Sequence, residues 1–254
     1  MLFRSPRLTG TAGGTHGGYG VSAGGGTTNA VYGNLFDPSA LGTPGRRSDQ
    51  QIGSFAGGVI RIRASHVTLG GIISARGLDA VLGTTYVQGA GSGGSIMISC
   101  ETFEQKANGS VTASGGLGKK SGYSVGGSAG GGRIALLSER VIGTLDESKF
   151  GALGGGWIGD YYASAGTIFL ATDQFGSGTK SKLIIDYGAN GQWATPIYFG
   201  DPKAGLRSQA KCPYDFELEL RSGAAYTVLG DKFAFDVDND DLACWEEYAK
   251  KTDP

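Results

Sequence analysis

Apolar and polar residues alternate in four short stretches, each of which follows a turn of small residues. The stretches are GGVIRIRA (57–64), GGSIMISC (93–100), GGGRIALL (130–137) and SAGTIFLA (164–171). A period of two predicts a β-strand with one buried face. We expect the aliphatic residues at equivalent positions to form one buried column: Ile60, Ile62, Ile96, Ile98, Ile134, Leu136, Ile168 and Leu170.

These stretches recur at nearly constant spacing along the chain. The intervals are 36, 38 and 34 residues between the marker glycines Gly58, Gly94, Gly132 and Gly166. Such recurrence indicates one supersecondary unit stacked on copies of itself. The predicted fold class is all-β, a right-handed parallel β-helix or β-solenoid with long glycine-rich loops between its strands.

The remaining sequence divides the chain into three regions. Residues 1–56 are rich in glycine and threonine and predict irregular loops that cap or flank the solenoid. Residues 57–230 carry the solenoid, with further rungs or a small β cap after residue 172. The loops inside it are longer than hairpin connections. Residues 231–254 are acidic, and we expect a calcium-binding loop with a short helix.

Composition excludes several classes of protein. Glycine contributes 48 of 254 residues, but a G-x-y period is absent and proline numbers only 7, which excludes collagen. Eleven Phe and eleven Tyr are too many for a disordered linker. The net charge of −1 without a basic face predicts no nucleic-acid partner. Apolar runs are too short for a membrane span.

The acidic end carries the sharpest chemical signal of the sequence. Asp236, Asp238, Asp240 and Glu247 fall at positions 1, 3, 5 and 12 of a twelve-residue loop, and Leu242 would offer its carbonyl at position 7. Calcium prefers six to eight oxygen ligands, which alternate residues of a tight loop direct inward. Asp241 at position 6, where glycine is usual, and Cys244 at position 9 depart from the pattern.

Two parts of the chain resemble known families. The acidic segment, followed by Thr252-Asp253-Pro254, resembles the aspartate repeats of thrombospondin type 3 and related bacterial surface proteins. That resemblance implies bound calcium and a natural protein that continues beyond this chain. The motifs over residues 10–190 resemble glycine-rich repeat modules of large bacterial and plant surface proteins. They imply an extracellular β-helix module with no known catalytic residues. The first residues do not form a signal peptide, so the chain is either cytoplasmic or a piece of a longer secreted precursor, and the second is favoured.

Cysteine and histidine offer little additional chemistry. The cysteines are Cys100, Cys212 and Cys244, which fit no zinc motif. A Cys212–Cys244 bridge and buried free thiols both remain open. His16 and His66 have no second ligand at metal spacing, and a structural hydrogen bond is the favoured role for His16.

The sequence therefore predicts an extracellular or cell-surface structural or adhesive module, a stalk or filament subunit. It would assemble with itself or with other surface proteins. The alternative is a carbohydrate-binding or polysaccharide-cleaving β-helix, with polysaccharide as its partner. Its platform would consist of aromatic residues that stack on sugar rings: Tyr86, Tyr123, Trp157, Tyr161 and Tyr162. A packed loop is the simpler interpretation of GWIGDYY.

Overall fold

The computed structural model describes residues 11–22, 28–122, 124–156, 163–175, 181–186, 195–197, 217–221 and 226–228. Within these ranges the regular structure is all β apart from a 3-10 turn at Glu147–Lys149. The strands are β1 (Val59–Leu69), β2 (Ile72–Ser74), β3 (Val81–Leu82), β4 (Val87–Gln88), β5 (Ser95–Gln105), β6 (Ser110–Thr112), β7 (Lys119–Ser121), β8 (Ser124–Gly126), β9 (Arg133–Ile142), β10 (Phe150–Gly151), β11 (Thr167–Ala171), β12 (Ser181–Asp186), β13 (Thr195–Ile197), β14 (Glu217–Arg221) and β15 (Tyr226–Val228).

Successive turns of the chain stack in parallel. The largest sheet has the order β1-β5-β9-β11-β12-β14, and its first four strands are parallel. A second parallel sheet has the order β10-β6-β2. Two parallel sheets built from the same successive turns make a β-solenoid of about three turns. The predicted all-β parallel solenoid is thereby confirmed, and its handedness stays a prediction.

The aliphatic column lies where the alternation predicts it. Ile60 pairs with Ile96, which pairs with Ile134, and this residue pairs with Ile168. The column starting at Ile62 is built in the same way. From the second turn onward these side chains are almost fully buried, whereas Ile60 and Ile62 are only partly covered. The column forms the core of the solenoid.

Each long strand turns a corner in its middle. In the pairing of β1 with β5, Ala64 pairs with Cys100 and His66 pairs with Thr102, while the residue between them on each strand is not paired. The buried face changes parity at this point, so that Phe103 joins Ile98 in the same core. An extended strand that changes face in this way encloses the core on two sides.

Glycine-rich segments close the other side of the solenoid through backbone hydrogen bonds with a period of three. Segment 89–94 is typical, since its amides donate in rotation to the carbonyls of segments 43–46, 127–130 and 75–78. The donors are Gly89 and Ser92 to the first, Ala90 and Gly93 to the second, and Gly91 and Gly94 to the third. Three residues per turn without internal hydrogen bonds is the geometry of a polyproline II helix. We call this bundle of segments the glycine array.

The marker glycines are required because the turns approach closely. A Cβ added to Gly94, Gly132 or Gly166 would lie 1.9, 2.0 or 1.8 Å from the carbonyl oxygen of the marker glycine in the preceding turn. Gly58 belongs to the first turn, and a Cβ added there would meet nothing within 4 Å. None of the four adopts a positive φ, so close approach alone selects glycine.

The amino-terminal segment crosses the turns and joins the glycine array. Gly14 donates to the carbonyl of Ala90 and accepts from Gly130, and Gly18 donates to Gly131. Farther along, Phe36 packs edge-to-face on Phe169 of β11, with ring centroids 4.8 Å apart. The described part of residues 11–56 is therefore built into the solenoid along its length.

Two features differ from the sequence-based expectation. The long loops contain short antiparallel hairpins, β3 with β4 and β7 with β8, which stack on each other. In addition, β12 pairs antiparallel with β11, and β14 then pairs parallel with β12. The parallel stacking of the main sheet thus ends at β11.

The close approach of the turns gives a direct test of the fold. We expect Gly132→Ala to lower the free energy of unfolding by on the order of 3 kcal/mol, because its Cβ overlaps the Gly94 carbonyl. Gly58→Ala is the matched control, and we expect a change within about 0.5 kcal/mol. Urea unfolding followed by circular dichroism measures both. Equal losses in the two variants would contradict the packing described.

Candidate functional site: the open first turn

The first strand has a backbone edge that is not paired with any other strand of the described chain. The amide of Ser95 in β5 donates to the carbonyl of Gly58. Backbone groups alternate along a strand, so Ile60 and Ile62 direct theirs toward β5. Val59, Arg61 and Arg63 direct theirs away from β5, and β1 lies at the end of the sheet order. We call the N–H and C=O groups of these three residues the free edge.

Exposed apolar side chains are concentrated in the first turn and in the segment before it. Seven of the ten large exposed apolar side chains among the described residues belong to residues 41–86, the first turn and the segment before it. They are Leu41, Ile52, Phe55, Ile72, Leu78, Val81 and Tyr86. Ile72 is 73% exposed and Phe55 is 68% exposed, and the amide of Leu78 donates to the carbonyl of Phe55. We call these side chains and the free edge together the open end.

The face of β1 that points away from the core is basic and concave. Residues of β1 and β5 line a shallow pocket of about 200 Å³: Arg61, Ile62, Arg63, Met97 and Ser99. The Arg61 guanidinium forms an ion pair with Asp37 at 2.7 Å, and both side chains are about half exposed. Arginine on an edge strand opposes indiscriminate pairing with other chains. The open end is therefore apolar toward the core and charged on the outside.

The last strands of the main sheet carry an ion-pair network. Lys182 of β12 lies 3.0 Å from Glu147 and 3.2 Å from Glu219, and Arg221 of β14 lies 2.6 Å from Glu219. The hydrogen bond from Arg221 lowers the pKa of the Glu219 carboxyl. All four side chains are mostly buried. The two ends of the sheet therefore differ on the core-facing side, which carries Ile60 and Ile62 on β1 and Glu219, paired with the core residue Ile184, on β14.

A buried polar cluster links the amino-terminal segment to the turns. The ring of His16 is fully buried, and its Nδ1 donates to the carbonyl of Gly93 at 2.9 Å. Arg133 is also fully buried and donates to the carbonyl of Tyr32 and to the hydroxyl of Thr167, both at 3.0 Å. Burial, and secondly the charge of Arg133, lowers the pKa of His16 to about 3. His16 is thus a structural hydrogen-bonding residue, as the sequence suggested.

The calcium prediction falls outside the described residues, because Asp236, Asp238, Asp240, Leu242 and Glu247 lie beyond residue 228. Within the described ranges, no cluster of three or more His, Cys, Asp or Glu side chains has a geometry suited to a metal ion.

The predicted aromatic platform is described at one position only. Tyr123, Trp157, Tyr161 and Tyr162 lie outside the described residues. Tyr86 is 41% exposed, and the Arg47 guanidinium covers its ring at 4.4 Å from the centroid. At least one face of the Tyr86 ring is therefore occupied by another side chain.

The cysteines and the search for membrane spans add two observations. Cys100 is a buried free thiol on β5, while Cys212 and Cys244 lie outside the described residues. Among the residues that the structure describes, no helix has the length and hydropathy needed to cross a membrane.

Comparison with known proteins returns no relatives. No family model, no curated protein and no solved structure matches the chain.

From the sequence, the joints between subunits were predicted at the glycine-rich entry and at the calcium segment, and β1 was not identified as the unpaired edge. A signal was present, because the first turn carries the same alternating pattern as the later ones. In a stack of repeats, the first copy lacks a preceding neighbour unless another segment covers it. The residues of β1 could therefore have been identified as an edge from the repeat order alone.

The buried histidine predicts a specific loss of stability in acid. The folded chain keeps His16 neutral down to about pH 3, whereas the unfolded chain takes up the proton near pH 6.5. The unfolded state therefore binds more protons below pH 6.5, so the contribution of His16 is complete above that pH and is lost as the pH falls. Between pH 7 and pH 5 we expect a loss of about 2 kcal/mol from this residue alone.

His16→Gln keeps a hydrogen-bond donor but cannot titrate, so its free energy of unfolding should fall less steeply over the same range. Urea unfolding at pH 7, 6 and 5 gives the two slopes. Parallel curves for the wild type and the variant would show that His16 does not control this pH dependence.

Proposed function

We propose that this chain is a structural or adhesive module that associates with other copies of itself through the open end. The observation that supports the proposal is the free edge of β1, formed by Val59, Arg61 and Arg63, beside a partly covered aliphatic column. Unpaired strand edges are templates for a further strand, and exposed apolar clusters of this kind mark interaction surfaces.

The energetics favour an ordered partner over solvent. Burying a side chain that is about half exposed contributes on the order of 1 kcal/mol, and a strand added to β1 would cover the exposed part of Ile60 and Ile62. A strand added to β1 would also satisfy the backbone groups of Val59, Arg61 and Arg63. Its residues facing the core would continue the aliphatic column beyond Ile60 and Ile62. The preferred occupant is thus another strand with alternating aliphatic residues, which a second copy of this chain supplies.

The cellular setting and the cofactor are part of the same proposal. The proposal includes an extracellular or cell-surface location, which the resemblance to glycine-rich surface modules supports. Calcium held by Asp236, Asp238, Asp240, Glu247 and the carbonyl of Leu242 would form a second joint or cap near the carboxyl end. A stalk or filament needs two joints per subunit, and the open end provides one of them.

Blocking the free edge tests the self-association. In Arg63→Pro the lost N–H points away from β5, so the internal hydrogen bonds remain and proline is tolerated. We expect the wild-type mass to rise with protein concentration in light scattering coupled to gel filtration. Arg63→Pro should need at least tenfold higher concentration for the same rise.

Arg63→Ala is the control for the side chain, because it keeps the N–H and removes only a charge that opposes pairing, and it should associate at least as strongly as the wild type. Thermal unfolding of both variants checks that the solenoid is intact. A wild-type chain that stays monomeric at every concentration would refute the proposed function.

Calcium binding is tested with calcium chloride alone by isothermal titration calorimetry. We expect binding with a Kd on the order of 10⁻⁴ to 10⁻³ M, because aspartate replaces glycine at position 6 of the loop. The double variant Asp236→Asn, Glu247→Gln should lose this heat. Glu101→Gln, an exposed acid of β5, is the control and should retain it. Equal heats in all three proteins would refute the calcium loop.

A further inference from the structure

We infer that association through the open end is symmetric, with β1 of one copy lying antiparallel to β1 of a second copy around a two-fold axis. This inference rests on the proposed function and adds to it the identity of the partner surface and the size of the assembly. It follows from the difference between the two ends of the main sheet.

The alternative is a head-to-tail stack, in which the last strands of one copy would meet β1 of the next. Within the chain, parallel head-to-tail stacking joins β1 to β5 and β5 to β9. That succession ends at β11, whose far edge is covered by the antiparallel strand β12. The same kind of surface is therefore no longer available at the far end of the described sheet.

Charge also opposes a head-to-tail joint. Glu219 of β14 is paired with Ile184 of β12, which belongs to the main core, so that Glu219 lies on the core-facing side of the sheet. Glu219 and Arg221 are mostly buried in the ion-pair network with Lys182 and Glu147. Stacking this network on Ile60 and Ile62 would place paired charges against an apolar column without new partners, which carries a desolvation penalty.

Two open ends match each other in their free backbone groups and in their apolar core-facing side chains. A two-fold axis reverses strand direction, so two β1 strands would pair antiparallel, as β11 and β12 already do. The apolar columns of both copies would then meet, and each free edge would supply the donors and acceptors that the other lacks. The axis brings Arg61 and Arg63 of both copies onto the same outer face, where like charges repel, and the ion pair of Arg61 with Asp37 in each copy reduces that repulsion.

Symmetric pairing uses the same surface of both partners, so the assembly closes at two copies. In the presence of a chelator, which removes any contribution of calcium, the mass should level off at twice the 26.0 kDa of the chain. A mass that keeps rising with concentration would overturn the inference and leave the self-association in place.

A mixing experiment separates the two geometries directly. Tagged Arg63→Pro and untagged wild type are mixed at low concentration, and the mixture is then concentrated. The tagged protein is captured, and the wild type captured with it is measured. In the symmetric geometry, a copy with a blocked β1 cannot pair with the β1 of a wild-type copy. We therefore expect tagged Arg63→Pro to capture at least tenfold less untagged wild type than tagged wild type captures. Tagged Arg63→Ala is the matched control, because it keeps the N–H, and it should capture at least as much wild type as tagged wild type does.

In the head-to-tail geometry the blocked copy still offers its other end, and tagged Arg63→Pro would capture wild type. That result would overturn the symmetric inference while supporting self-association. A wild-type chain that remains monomeric in the same experiment would remove both the inference and the function on which it rests.

Discussion

The fold depends on how closely the backbone of one turn approaches the next. At the marker positions the carbonyl oxygen of one turn lies where a Cβ of the following turn would be, as for Gly132 over Gly94. This approach lets buried amides find carbonyl partners on neighbouring segments, which they must do because unpaired buried amides are costly. On one side of the solenoid, glycine therefore allows backbone segments to pack directly against one another, without side chains between them.

The two sides of each turn are stabilised by different forces. On the strand side, aliphatic columns remove apolar surface from water. On the glycine side, hydrogen bonds with a period of three hold segments that have almost no side chains to bury. Hydroxyl groups and His16 connect these layers, since His16 binds the carbonyl of Gly93 and Arg133 binds Thr167. The neutral state of His16 is a consequence of this dry position beside a cation.

The sequence was informative where side chains carry the pattern and uninformative where the backbone does. Alternation and spacing predicted β1, β5, β9 and β11 and the partners of Ile60 and Ile62. The period of three in segment 89–94 has no side-chain signature, because serine, alanine and glycine satisfy it equally. The reversal at β12 was also hidden, since KLIIDYG alternates like the parallel strands. The alternation of apolar and polar residues indicates which face of a strand is buried, but it does not indicate whether the strand runs parallel or antiparallel to its neighbour.

A repeat that stacks on itself must be stopped at each end, and the two ends of the described sheet meet this requirement in different ways. At the far end, β12 reverses direction and charged residues take the place of the aliphatic column. At the first turn, Arg61 and Arg63 make the outer face of β1 unfavourable for random apolar contacts, while the core-facing side stays apolar. Such an edge excludes most partners and accepts a strand of matching pattern. The repeat that builds the core therefore also defines the specificity of its exposed end.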